Sequence, residues 1–243
     1  MSLKSVYIPA VSFHEHRIRI TDEEHYHLVV GRAEAGELIE VFDGKGNMWT
    51  TIVESVSKRE TIVLLKDHRT VPPPSLELIL GIALIRTAAF ELALEKAVEV
   101  GVTRVVPFRA ERSNAVGANR HDRWSRIVVE AAKQSKHYHV PAIGAAANLE
   151  EVLSIPASTK IMFAERDGAP LQSALAGSPA LYLIGPEGGW TAGEIATARA
   201  SGFHAVSLGE GILKAETAAI VGGALIRYEL EKQKPGARSQ KPE

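Results

Sequence analysis

Two glycine-bearing stretches carry the residue types that could hold a small molecule and act on it. Gly185-Pro186-Glu187-Gly188-Gly189 follows the apolar run Leu181–Ile184, and the stretch from Leu208-Gly209 to Glu216-Thr217 follows Ala205–Leu208. Glycine has no Cβ, so the backbone can turn sharply there and come close to a ligand. Paired loops at the carboxyl ends of strands are where an open α/β sheet holds small molecules. A phosphate cradle is disfavoured: G-x-x-x-x-G-K-[ST] and G-x-G-x-x-G are both missing, and Glu187 would repel phosphate. An acid, carbonyl-lined turns and the apolar pair Ile212-Leu213 suit a neutral or cationic ligand better.

The elements that must position these loops read as alternating strands and helices. Leu76–Leu84 is a nearly continuous apolar run, the mark of a strand covered on both faces. Helices follow over Ala88–Val100, Asp122–Ser135, Leu149–Ser154, Glu194–Ser201 and from about Glu216 to Glu231; strands fall at Thr103–Phe108, Lys160–Ala164, Leu181–Ile184 and Ala205–Leu208. Such alternation predicts a parallel sheet with helices on both faces. Thr191 and Glu194 form a T-x-x-E capping box, which starts a helix at about Ala192 and turns backbone amides toward the first loop.

Residues 1–71 differ, with short strands at Ser5–Pro9, Arg17–Ile20, Glu37–Phe42, Met48–Ser55 and Thr61–Leu65, a turn at Asp43–Asn47, and a helix over Asp22–Val30 capped by Thr21 or Asp22. They predict a small barrel-like module. Pro72-Pro73-Pro74 stiffens the chain after it, and the domain junction is placed there. The second domain is expected over 75–232, with a Lys/Pro/Gly/Ser-rich tail over 233–243 expected to be disordered.

Positive charge is concentrated. Residues 104–139 hold eight basic and three acidic side chains in a chain whose net charge is −1. A local field of that kind steers a polyanion, and phosphate contacts from arginine and lysine supply salt-sensitive affinity. There is no cysteine, so disulfides, thiolate zinc sites and a cysteine nucleophile are excluded. The pairs His14/His16, His25/His27 and His137/His139 lack a third ligand at a recognisable spacing, and no metal is expected. No signal segment and no run of about eighteen apolar residues is seen, so no membrane partner and a cytoplasmic location are expected.

The motifs I-G-P-E-G-G-W-T-x-x-E-I at 184–195 and L-G-x-x-I-L-K-x-E-T-A at 208–218 resemble the ribosomal RNA small-subunit methyltransferase E family of the SPOUT superfamily. Glu99-x-Gly101-Val102, Pro107, Glu111-Arg112-Ser113, Arg123-Trp124 and Glu130-Ala131-Ala132-x-Gln134-Ser135 extend the likeness upstream. His27-Leu28-x-x-x-x-Arg32 and Phe42-Asp43-Gly44 carry it into the first domain. The resemblance implies an α/β, SPOUT-type parallel sheet with a C-terminal trefoil knot, preceded by a small PUA-like β-barrel domain that binds RNA. It implies an S-adenosyl-L-methionine-dependent enzyme methylating N3 of a uridine in small-subunit ribosomal RNA, free or in the assembled subunit, and a homodimer.

By that likeness the donor pocket comprises Ile184, Gly185, Pro186, Glu187, Gly188, Leu208, Gly209, Ile212, Leu213 and Ala215. Lys214 and Arg112 are the catalytic candidates, as cations for charge developing on the uracil. Arg32, Arg112, Arg123, Arg126, Lys133, Gln134 and Ser135 are the expected RNA contacts. The sequence departs from the family at Gly211 and Lys214, where arginine is usual, and at Lys136-His137, where Gly-Arg is usual. These departures keep two alternatives open: a non-catalytic RNA-binding protein of the same fold, and an enzyme acting on transfer RNA.

Overall fold

The computed structural model describes residues 3–114, 120–164 and 168–233; the expected tail, from 234 on, lies outside them. The chain divides into two compact units, one of residues 1–73 with 132–140, the other of residues 74–131 with those from 141 onward.

The first unit contains β1 (Lys4–Tyr7), β2 (Arg17–Ile20), α1 (Asp22–Val30), β3 (Leu38–Phe42), β4 (Asn47–Val56) and β5 (Thr61–Thr70). Its sheet runs β1-β3-β4-β5-β2, with β1 parallel to β3 and the other pairs antiparallel. Alternate residues point inward, so Val6, Ile18, Ile20, Ile39, Val41, Val53 and Val63 form its core with Leu28 of α1. In the β3–β4 turn, Asp43 Oδ1 accepts from the amides of Lys45 (2.7 Å) and Asn47 (3.1 Å). Thr21 holds the N-cap position of α1, but its hydroxyl donates to Asp22 and caps no amide. β5 runs past Leu65 to Thr70. Its outer half, residues 66–70, is exposed at every position and wholly polar, so no apolar alternation marked it as strand.

Residues 132–140 pack within this unit, although a linear reading assigns them to the second domain. The Gly46 amide donates to the Tyr138 carbonyl and the Val140 amide to that of Gly44, both at 3.0 Å. The Lys136 ammonium binds Glu40 (2.6 Å), the Leu3 carbonyl and the Ser5 hydroxyl (both 2.7 Å). The departure at Lys136 therefore has a structural use.

Past the prolines come β6 (Leu78–Ala83), α2 (Thr87–Glu99), β7 (Arg104–Arg109), α3 (His121–Ser135), β8 (Ala142–Ile143), β9 (Ala147–Asn148), α4 (Leu149–Leu153), β10 (Thr159–Phe163), a 3-10 turn (Leu171–Ala174), β11 (Ala180–Ile184), α5 (Ala192–Ala200), β12 (His204–Val206) and α6 (Ala215–Lys232). The sheet of the second unit runs β12-β10-β11-β6-β7-β8, with β9 also on β7, and every pairing is parallel. β6 and β11 are buried along their whole length, which explains their unbroken apolar runs. The short pairs β8 and β9 are too brief to show a period.

α6 lies close to this sheet because Gly222 and Gly223 present no side chain. A Cβ on Gly222 would lie 2.4 Å from the Phe163 ring, and one on Gly223 would lie 2.6 Å from the Tyr182 hydroxyl. Tyr182 is fully buried, donates to the Ala219 carbonyl (3.1 Å), and has its phenol pushed well above the usual range by burial. Gly222→Ala is expected to cost about 2 kcal/mol through overpacking against a buried ring. The reading is a lower urea midpoint at unchanged slope; an unshifted midpoint would show that Phe163 yields freely. Among the described residues no helix is long and apolar enough to cross a membrane.

Candidate functional site

The carboxyl ends of β6, β7, β10, β11 and β12 converge on one cavity of about 630 Å³, within the range of small-molecule sites. Its first wall is the loop after β11. The Gly189 amide closes a turn onto the Pro186 carbonyl (2.9 Å), and Gly189 has φ +71°, which glycine adopts without strain. A Cβ on Gly185 would come within 2.8 Å of the Trp190 ring. That ring stacks on Phe108 and its Nε1 donates to the Phe163 carbonyl (2.8 Å), which fixes the loop to the ends of β7 and β10. The capping box forms: Thr191 Oγ1 accepts from the Glu194 amide (3.2 Å) and Glu194 accepts from the Thr191 amide (2.8 Å), starting α5 at Ala192. The other Glu194 oxygen accepts from the Glu111 amide (2.9 Å), so this buried carboxylate has both oxygens on backbone donors.

Glu187 ties further loops together. One oxygen accepts from the Arg86 amide (3.0 Å), the other from Asn114 Nδ2 (2.9 Å), with the Arg86 guanidinium 3.7 Å away. Arg112 donates to the Gly188 carbonyl (2.9 Å). The second wall is the loop after β12, where Ser207 Oγ donates to the Gly209 carbonyl (2.9 Å) and Gly209 has φ +131°. Lys214 takes the N-cap position of α6 without a side-chain capping bond.

Of the expected donor-site residues, Ile184, Gly185, Pro186, Glu187, Gly188, Leu208, Ile212, Leu213 and Ala215 line the cavity, as do Lys214 and Arg112; Gly209 does not. The cavity also takes in Arg86, Ala89, Phe163, Ala164, Trp190, Ser207, Gly211 and Glu216, which sequence reasoning left out of the site. Phe163 and Arg86 sit at the ends of β10 and β6, and only the strand order places those ends beside β11. Trp190 stood within the quoted motif and could have been taken from it. A side chain on Gly211 would meet open space, so arginine could be accommodated there.

The expected RNA contacts differ in availability. Arg32 and Arg126 are exposed, as is Gln134, and Ser135 is half-buried. Arg123 is exposed but bonded to Glu91 (2.7 Å). Lys133 is placed differently: its side chain is only 8% exposed and binds both oxygens of Glu24 at 2.9 and 3.0 Å. Lys133→Met takes the ammonium away from Glu24 and is expected to cost about 2 kcal/mol, less than a fully buried broken pair because the Glu24 side chain is 17% exposed. Thermal unfolding checks this; an unchanged midpoint would show that the pair contributes nothing. Two histidines of the H-x-H pairs are spent locally, His25 on Thr61 (2.9 Å) and His139 on the Val71 carbonyl (2.9 Å).

A parallel α/β domain with a small-molecule pocket at its strand ends defines a broad class, and the comparisons narrow it. The family model described as an RNA methyltransferase domain matches residues 72–227. The ribosomal RNA small subunit methyltransferase E of Synechocystis sp. is 33% identical over 222 residues, covering 87% of this chain and 72% of that protein. That of Rickettsia conorii is 26% identical over 235 residues, covering 93% and 96%. The crystal structure of a ribosomal RNA small subunit methyltransferase E from Neisseria gonorrhoeae bound to S-adenosyl methionine matches with a TM-score of 0.88 at 29% identity, over 94% of this chain and 98% of that one. The chain belongs to the ribosomal RNA small subunit methyltransferase E family.

Proposed function

We propose that this protein transfers a methyl group from S-adenosyl-L-methionine to N3 of a uridine in small-subunit ribosomal RNA. The carrying observation is the cavity itself, with apolar walls from Ile184, Leu208, Ile212 and Leu213, glycine backbone at Gly185 and Gly188, and cations Arg86, Arg112 and Lys214 on its lining. That composition fits a sulfonium donor, which supplies an electrophilic methyl and needs apolar contact and backbone hydrogen bonds. Glu187 serves by position, holding the Arg86 and Asn114 loops against the pocket wall. Holding both reactants in line contributes ~7 kcal/mol in well-oriented systems. Lys214 and Arg112 meet the negative charge that grows on the uracil carbonyls.

The same reading assigns residues 1–71 to a PUA-like RNA-binding domain and 75–232 to a SPOUT catalytic domain whose C-terminal segment is threaded as a trefoil knot. RNA is held by Arg32, Arg112, Arg123, Arg126, Gln134 and Ser135. A homodimer is supported by exposed apolar side chains on α2 and α6, at Leu92, Leu225 and Tyr228, and by Ile212, which is 62% exposed. The deciding experiment offers labelled donor to purified small subunits, free small-subunit RNA and transfer RNA, then maps the modified base. Label at N3 of one uridine in the small-subunit RNA is expected. Label in transfer RNA alone, or donor bound without transfer to any RNA, would overturn the reading.

A further inference from the structure

Methylating an imide nitrogen requires a proton acceptor, and the residues lining the cavity offer few. Among the described residues that line it, none is histidine, aspartate, tyrosine or cysteine, and the carboxylates are Glu187 and Glu216. Both oxygens of Glu187 are taken by Arg86 and Asn114. Glu216 has no hydrogen bond or ion pair to any described residue, is half-buried, and sits in the first turn of α6, two residues beyond Lys214. Among the described residues, the other titratable and charged groups on the same cavity wall are Arg86, Arg112, Glu187 and Lys214.

We propose that Glu216 is the general base that removes the N3 proton of the acceptor uridine. This rests on the reading of the reaction given above. The N3–H proton passes to a carboxylate oxygen of Glu216 while the nitrogen lone pair forms the new N–C bond to the methyl carbon. The C–S bond breaks, its electrons return to sulfur as a neutral thioether, and the protonated Glu216 then releases its proton to water. Uracil charge that builds before transfer is complete lies toward Lys214 and Arg112. The position of Glu216 also complements the helix dipole, a purely structural role that the test must separate from catalysis.

Glu216→Gln keeps shape and removes the basic oxygen. With small subunits that the native protein methylates, single-turnover transfer is expected to fall about 100-fold, the middle of the range for one general base. Donor affinity by titration calorimetry is expected to stay within about twofold, since the carboxylate acts on the acceptor. The variant's rate should keep rising with pH where the native rate has levelled. Its defect should shrink on small subunits reconstituted with 5-fluorouridine-containing RNA, whose imide is more acidic. Native-like turnover and pH profile in Glu216→Gln would overturn the proposal. So would loss of donor affinity matching the loss of rate, or a defect that 5-fluorouridine leaves untouched. Should Glu216→Gln fold poorly, Glu216→Asp carries the test: reduced turnover with the native pH profile supports the base, and unaltered turnover with a displaced carboxylate refutes it. Failure of the native protein to label any uridine would instead remove the underlying reading.

Discussion

Gly188→Val is expected to weaken S-adenosylmethionine binding about 100-fold, while leaving the fold in place. Gly188 lies on the cavity wall, and its carbonyl is held by Arg112 at 2.9 Å. A Cβ there would sit 3.1 Å from Arg112 Cβ and 3.3 Å from its Cδ, closer than most real contacts, and valine adds two further methyls. Arg112 is exposed and can swing away, so the chain folds, but the methyls then occupy the space into which a ligand must fit against bare backbone. Overpacking costs of 1–3 kcal/mol correspond to roughly 5–150-fold in a dissociation constant, and the upper part of that range applies because Arg112 is displaced as well. Calorimetry with the purified variant decides it. Affinity within threefold of native would show that the donor does not approach this segment.

The two loops were legible because their signals are local. Glycine, proline and the T-x-x-E box act on neighbouring residues, so the turn at Gly189 and the start of α5 at Ala192 could be read from a short window. The apolar runs of β6 and β11 announced a doubly covered sheet for the same reason. What escaped depends on partners distant in the chain. Arg86 and Phe163 enter the site only because β6 and β10 flank β11, an order that no periodicity encodes. Lys133 looked like one cation among eight in a basic stretch, yet Glu24, far earlier in the chain, accepts its ammonium. Net charge by segment counts residues, whereas phosphate binding depends on which of them stay unpaired. Gly209 was expected on the wall from its motif; it lies in the same loop, with φ +131°, and is not among the residues that line the cavity.

Lys214→Ala separates binding from chemistry at the same wall. Lys214 lines the cavity at the N-cap of α6, makes no side-chain capping bond, and is exposed. Its removal should therefore barely touch stability, whereas removing a Ser, Thr, Asp or Asn cap would cost about 1 kcal/mol. It also leaves the apolar and backbone contacts to the donor intact, so donor affinity should stay within about threefold. The ammonium is needed when the uracil carbonyls take on negative charge, and losing one such preorganised donor typically lowers turnover by 10²–10³. A fall of about 300-fold in single-turnover methyl transfer is expected, with KM for small subunits little changed. Lys214→Arg should recover most of the rate if a cation alone is required, since guanidinium keeps the charge with a different donor geometry. A variant that turns over at the native rate would leave Arg112 and Arg86 as the cations facing the acceptor, and would move the acceptor's place in the cavity toward the ends of β6 and β7.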